Sequence, residues 1–434
     1  MIQKKYTSRS ATSVIIANMI GTGVFASLGF QLLDIQSPFV ILMLWAVGGM
    51  TALFGALSYA ELGAALPRSG GEYNFLSEIF HPMLGFVAGW VSVAIGFAAP
   101  VALVSILFAT YMTQVFPALN SQILAVGLIV VLTVIHITNH KNSGGFHQIM
   151  TLFKLVLIIG FSVFAFFMVE VPQDISFLPQ TSDIGIVFSS SFAVSLIYVN
   201  YAFMGWNSAT YISSEIENPQ KSLPKVLLIG TLTVAVLYVI LNFIFLYVAP
   251  IKEMAGNEKF AYIAAEYVFG EKGAYILALS LAIIFISTVS AMTMAGPRAF
   301  QVIGEDYPLF KVLAKTNANN IPIYAIIFQS ALSILFVLTS SFEFILVFAG
   351  FTLGVSNFAT VLGVIVLRKT QPDLPRPYKT WLYPLTPILY LCLMGWTLIY
   401  IIIEKPQEAL MSLGVIVLGV ILYFVSNFSR KEVK

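Results

Sequence analysis

"IANMIGTGVF" runs from Ile16 to Phe25 inside an apolar stretch long enough to cross a bilayer, and it sets Gly21, Thr22 and Gly23 at the middle of that stretch. Glycine costs about 1 kcal/mol against alanine inside a helix, so the segment reads as a helix weakened at midspan. In hydrocarbon a helix satisfies its own backbone groups, and a break is tolerated only where the freed groups are buried in protein or line a watery cavity. One reading is therefore an unwound point. It exposes backbone N–H groups at the start of a second half-helix, whose positive dipole end favours an anion such as a carboxylate. Close helix packing through small residues accounts for the same glycines, and this stretch alone does not separate the two.

The chain around it has 434 residues, 59% of them hydrophobic and 10% charged, with a mean hydropathy of +0.91. A soluble domain carries about a quarter charged residues. The apolar residues come in runs of about 20, the length a helix needs to span hydrocarbon, and the ten-residue alternation of a membrane barrel is absent. The expected class is an all-α membrane protein with twelve transmembrane helices. They lie near 11–33, 38–66, 82–116, 121–139, 146–169, 186–212, 225–249, 260–303, 322–340, 343–367, 380–402 and 408–428. The third and eighth exceed one crossing, so each is expected to tilt or to run on as helix.

The segment from Met1 to Ser10 is short, basic and leads straight into the first span, so no cleavable leader is expected. With that end in the cytoplasm, the inner segments hold 17 Lys and Arg and the outer loops hold four, Lys252, Lys259, Lys272 and Lys405. This asymmetry orients the chain with both termini cytoplasmic in the cell membrane. The net charge of +2 gives no reason to invoke nucleic acid. Cys392 is the one cysteine and falls in the eleventh span, so no disulfide forms within the chain.

The sixth span reads "SLIYVNYAFMGWNSATYISSEIENPQKSLP", Ser195 to Pro224. Gly205 stands mid-span among Tyr201, Phe203 and Trp206. Two interrupted spans, each opening a block of five, are the sequence pointer to an inverted-repeat transporter. The expected organisation is an N-terminal tail 1–10, a first repeat 11–169, a second repeat 186–367, two added spans within 380–428, and a C-terminal tail 429–434.

Several separated motifs now carry a family resemblance. They are "MIGTGVF" (19–25), "YAELGAALPRSGGEYNFL" (59–76) with "GFVAGW" (85–90), "YAFMGWNSATYISSEIENPQKSLPK" (201–225), "AGPRAFQVIGED" (295–306) and "RKTQPDLPRPYKTWLYPLTP" (368–387). In this order they resemble the amino acid–polyamine–organocation transporters, close to bacterial relatives of the L-type amino acid transporters. The resemblance implies a leucine-transporter-like 5+5 inverted repeat with amino acid bound between the broken first and sixth helices. Relatives often carry a small or polar residue before the sixth-span glycine. This chain carries Met204, which narrows the site. Eukaryotic relatives join a single-span glycoprotein through an outer-loop cysteine, and "PALNSQ" (117–122) holds none, so no disulfide-linked partner subunit is expected.

Lys154 reads as the only Lys or Arg buried within a span. A lone ammonium in hydrocarbon costs several kcal/mol, and it either snorkels to an interface or finds oxygens. The resemblance implies that it fills the place of a sodium ion between the first and eighth spans, with Ser287 and Ser290 as candidate partners. Glu61, Arg68, Glu215, Glu217 and Arg298 read as gate and topology charges. His136, His140 and His147 read as interface residues rather than a metal set, because no cysteine or carboxylate joins them. Asn18, Asn200 and Asn207 reach substrate or bridge freed backbone, with bridging expected of at least two. Gly85 and Gly89 read as helix packing.

The function expected is sodium-independent exchange of neutral L-amino acids by alternating access, with no cofactor and no catalytic residue. The substrate carboxylate is expected on the N–H groups around Gly21, Thr22 and Gly23. The ammonium is expected on carbonyls at Met19, Tyr201 and Met204, with Phe203 and Gly205 completing the site and Tyr201 as a gate. No Asp or Glu falls in the middle third of any span on this reading, which favours neutral substrates. Gly23→Val is expected to stop binding in a protein that still folds. Proton-coupled uptake and a transporter-like nutrient sensor are the alternatives.

Overall fold

The computed structural model describes residues 6–138, 143–307, 310–317 and 321–432. His140 therefore lies outside the described residues, as do the side chains of His147 and Arg298. The helices in chain order are α1 (Ser8–Met19), α2 (Gly23–Asp34), α3 (Pro38–Ala65), α4 (Glu72–Ile79), α5 (Pro82–Val91), α6 (Ala98–Val115), α7 (Ser121–Thr138), α8 (Ser143–Met168), α9 (Asp183–Val187), α10 (Ser190–Ala202), α11 (Pro219–Val248), α12 (Ile251–Met254), α13 (Phe260–Asp306), α14 (Ile323–Thr339), α15 (Phe342–Thr370), α16 (Leu385–Glu404) and α17 (Pro406–Glu432). A π-helical turn at Ser92–Phe97 joins α5 to α6, and a 3-10 helix at Ser208–Glu215 follows α10. Local chemistry sets the starts. The side chains of Thr7, Ser37, Ser189 and Ser341 cap α1, α3, α10 and α15 by accepting from backbone N–H groups in the first turn, each such cap being worth about 1 kcal/mol.

Ten of these segments are long and apolar enough to cross a membrane. The expectation of twelve is met only in part, for two physical reasons. The sixth span is cut into α10 and the short 3-10 helix, and α14 has 17 residues, below the ~20 of a full crossing. The two over-long runs also resolve. The third is α5, the π turn and α6 in series, and α13 is interrupted at Gly270, with φ 67° and ψ −179°.

The two broken segments lie side by side and antiparallel. α2 packs on α10, and α1 packs on the 3-10 helix. A Cβ at Gly23 would sit 2.3 Å from Ala202 Cα, and one at Gly205 would sit 2.9 Å from the Asn18 carbonyl carbon. α3 and α11 flank this pair, while α6, α7, α13 and α14 form a second packed group. Gly85 and Gly89 admit Ser77, Tyr73 and Ile303, which is packing within the chain. α16 and α17 are tied into the bundle. Tyr390 lies against Gly55, and Trp90 Nε1 donates to Val415 O at 3.1 Å. Val134, Leu152, Val156, Phe167 and Leu410 are exposed apolar residues on α7, α8 and α17, as expected of surfaces that meet the lipid bilayer.

Each end of the bundle carries contacts between separate elements. At the end holding Tyr6, called the terminal face below, Tyr6 N donates to Glu215 O (2.7 Å) and Glu217 N to Tyr6 O (3.0 Å). Ser69 Oγ meets Ser214 Oγ at 2.6 Å, and Arg68 pairs with Asp306 at 3.0 Å. Partial burial opposes the charge on Arg68, and the hydrogen bond and field of Asp306 outweigh it, holding the guanidinium above its ordinary range. At the opposite face Gly256 N donates to Gly29 O (2.7 Å). Phe30 stacks on Tyr198 and Phe342 there, and Glu343 holds Tyr198 OH and Lys405 Nζ at 2.6 and 2.8 Å.

Candidate functional site

At the first break α1 ends at Met19 and α2 begins at Gly23. The opening N–H groups of a helix have no intrahelical acceptor, and Thr22 at the N-cap makes no side-chain cap bond. Gly21 N turns back to Met19 O at 2.8 Å. A Cβ at Gly21 would meet nothing within 4 Å, so this glycine borders open space. Gly23 is different: its missing side chain is what lets α2 touch α10. A valine there would push the two broken segments apart. The expected outcome for Gly23→Val, a folded protein that has lost binding, is therefore replaced by a packing failure.

The carbonyls freed at this break are already engaged. Lys154 Nζ donates to Ala17 O (3.2 Å), Ile20 O (3.0 Å) and Thr288 Oγ1 (2.9 Å). Those are all three of an ammonium's donors, and no chain of snorkelling is involved, since Lys154 is 3% exposed. The partner from α13 is Thr288 rather than Ser287 or Ser290. Ser290 Oγ meets His136 Nε2 at 2.9 Å. Ser287 lines a cavity of about 30 Å³ with Asn18, Thr151 and Lys154. At about 100° per residue Ser287 and Ser290 share one side of the helix, about 60° apart, while Thr288 lies about 100° and 160° from them, so the phase that aims Thr288 at the ammonium carries both serines off that line. Tyr238 OH on α11 donates to Met19 O at 2.6 Å, so that carbonyl has two donors before any substrate arrives.

The sixth-span break is made by one glycine. Gly205 has φ 103°, a conformation closed to residues with a Cβ except under strain. Turn bonds then carry the chain across it: Met204 N to Tyr201 O (2.9 Å), Ser208 N to Gly205 O (3.0 Å) and Thr210 N to Asn207 O (2.9 Å). Tyr201 is buried beside the break. Phe203 turns away from it: fully buried, it packs against Trp45 and Tyr238. Its side chain belongs to the core rather than to a pocket. Met204 Sδ lies 3.9 Å from Asn357 Nδ2.

A second cluster sits beneath this break. Glu72, 2% exposed, accepts from Tyr59 OH at 2.8 Å, from Asn207 Nδ2 and from Tyr211 OH. Asn207 thus reaches a carboxylate and not a freed backbone group. Asn18 packs on Gly205, and Asn200 Nδ2 is buried without a hydrogen-bond partner. Glu61 does not pair with Arg68. It is held by Arg368 at 2.6 Å, by Arg376 at 3.5 Å and by Thr380 N at 2.7 Å. Among the described residues no group of three His, Cys, Asp or Glu could hold a metal.

Two broken, antiparallel helices thus lie at the centre of a helical bundle in which, among the described residues, ten segments are long and apolar enough to cross a membrane. The family model described as amino acid permease matches residues 7–425. The chain is similar to the large neutral amino acids transporter small subunit 2 of Rattus norvegicus, with 30% identity over 452 residues covering 100% of this chain and 82% of that protein. It is similar to the b(0,+)-type amino acid transporter 1 of Mus musculus, 27% identical over 446 residues, 98% and 88%. It is also similar to the Asc-type amino acid transporter 1 of Mus musculus, 27% identical over 451 residues, 100% and 83%. A match over nearly the whole length assigns this chain to the amino acid permease family of the amino acid–polyamine–organocation superfamily, whose members are transporters and not enzymes.

Proposed function

We propose that the protein exchanges neutral L-amino acids across the cell membrane, independently of sodium, by alternating access. The observation that carries this reading is the Lys154 ammonium bound to Ala17 O, Ile20 O and Thr288 Oγ1. It supplies one positive charge to the oxygens that a sodium ion would need. The substrate carboxylate sits on the N–H groups around Gly21, Thr22 and Gly23, with Gly21 N giving up its turn bond to Met19 O and its missing side chain leaving room. The substrate ammonium takes the carbonyls beside Gly205, with Tyr201 over it. The names of the relatives support neutral side chains, and the absence of a carboxylate directly at either break, among the described residues, supports the same choice. The larger architecture belongs to the same proposal: residues 11–169 and 186–367 form two inverted repeats of five spans, 380–428 are added, and both termini are cytoplasmic. The chain works without a disulfide-linked second subunit.

The purified chain in liposomes tests this. Labelled neutral amino acids should enter only when unlabelled amino acid is loaded inside, with sodium or choline alike. Uptake that needs sodium, or no movement of any label, overturns the reading. One observation favours proton coupling as a second reading: Lys154 has no Asp or Glu partner among the described residues. Net uptake driven by a pH gradient alone, lost in Lys154→Ala, would replace exchange by symport.

A further inference from the structure

The second limb of the sixth span, Ser208–Glu215, is a 3-10 helix with a non-helical kink at Ile212. Such helices have weaker internal bonds than α-helices, so the limb's position is set from outside. Asn207 and Tyr211, which flank its first turn, both donate to Glu72. Glu72 lies on α4, a different element, and the same carboxylate accepts from Tyr59 on α3. Tyr211 OH also meets Ser92 Oγ in the π turn at 3.1 Å. Tyr59 OH lies 2.9 Å from Asn357 Oδ1 on α15, and Asn357 touches Met204. Tyr390 on α16 is the remaining titratable group near the carboxylate. Among the described residues no Lys, Arg or His forms a salt bridge with it.

We infer that Glu72 is a positioning residue: its carboxylate latches the second limb of the sixth span to α3 and α4, and its release from Asn207 and Tyr211 opens the terminal face. This rests on the alternating-access reading. Three donors converge on one buried anion, and hydrogen bonds to a charged group are stronger than neutral ones. The latch also has a built-in alternative. Tyr59 carries one hydroxyl hydrogen and stands between two acceptors, Glu72 Oε1 and Asn357 Oδ1, so it serves one at a time. Asn357 contacts Met204 at the break, so the network reaches both the site and the limb it holds.

The test uses the full chain with Cys392→Ala and one reporter, Ser213→Cys, on the limb where Ser213 is fully buried. A water-soluble maleimide should label the reporter slowly in this parent. Glu72→Ala should speed labelling about tenfold or more, the size expected for losing charged hydrogen bonds, and Glu72→Asp should restore slow labelling. In exchange assays Glu72→Ala should change turnover more than the half-saturating substrate concentration. Tyr211→Phe, which removes one donor and keeps the carboxylate, should speed labelling by a smaller factor and carries the test if Glu72→Ala does not fold. Unchanged labelling in the folded variants overturns the latch. Labelling needs no gradient, so a parent that labels as expected yet moves no amino acid removes the transport reading and leaves the latch standing.

Discussion

The two breaks look alike in sequence and are built in opposite ways. At the first, carbonyls are held by Lys154 and Tyr238 from other helices, while Thr22 puts no side-chain cap on the opening turn of α2 and Gly21 N turns back to Met19 O. At the sixth, the chain satisfies itself through successive turns around Gly205, and its aromatic neighbours Phe203 and Trp206 are driven into the core. One break offers donors held still by distant side chains. The other offers a bend and a short limb held in place by a carboxylate. A glycine in a membrane span can thus border open space, as at Gly21, or mean close contact and a forced turn, as at Gly23 and Gly205.

The comparison breaks first at Lys154. Lys154→Ala leaves two carbonyls and a hydroxyl short of a donor at about 1–3 kcal/mol for each group left unpaired. Exchange in proteoliposomes should fall about a hundredfold, since a few kcal/mol at 1.4 kcal/mol per tenfold is that much. Substrate binding measured by scintillation proximity should weaken far less. Equal losses in both would mean that the lysine orders the substrate site directly.

A pair of glycine variants separates the two kinds of break. Gly205→Ala puts a Cβ on a residue at φ 103°, 2.9 Å from the Asn18 carbonyl carbon. It should cost about 1–3 kcal/mol and lower the melting temperature in detergent by several degrees. Gly21→Ala meets no atom within 4 Å and should leave the melting temperature in place. It should weaken substrate binding about tenfold by crowding the open N–H groups. If Gly21→Ala melts early with unchanged affinity, the first break is a packing device as well.

Tyr238→Phe removes one hydroxyl from Met19 O and nothing else. A single neutral hydrogen bond is worth about 0.5–1.5 kcal/mol, so affinity or turnover should change a few-fold. The smallest effect expected is none: replacing sodium by choline should leave the exchange rate of the parent unaltered, and a fall would remove Lys154 from the sodium position.

The membrane class and both interruptions were legible in the sequence, because hydrocarbon permits so few backbone solutions. The partners were not. Thr288 was passed over for Ser287 and Ser290 because helix phase, set by the packing of α13 against α8, chooses among neighbours. Phe203 was placed in the site because it adjoins Gly205, yet aromatic burial against Trp45 won. Glu72 was missed because it lies between spans in the sequence. The signal was present in "RSGGEY". Gly70 and Gly71 take φ 124° and 55°, turning the chain back so that a residue outside the spans enters the bundle. The twelve-span count is met only in part: ten segments are long and apolar enough to cross, and the other two expected spans are the one cut in two and the 17-residue α14.

The π turn at Ser92–Phe97 makes the third span a device for changing phase. A π turn houses one residue more than the α-helix would use, and one residue is about 100° of rotation. Ahead of it, Gly85 and Gly89 face α4 and Tyr73. Within it, Ser92 reaches Tyr211. Behind it, Ala98 O accepts from Ser333 on α14. A one-residue deletion here would yield a smoother helix and a misaddressed one: either the half that serves the latch or the half that serves the scaffold would turn its faces to the wrong neighbours. The spare residue is a register mark, and its absence should be felt in transport even where the span itself still inserts.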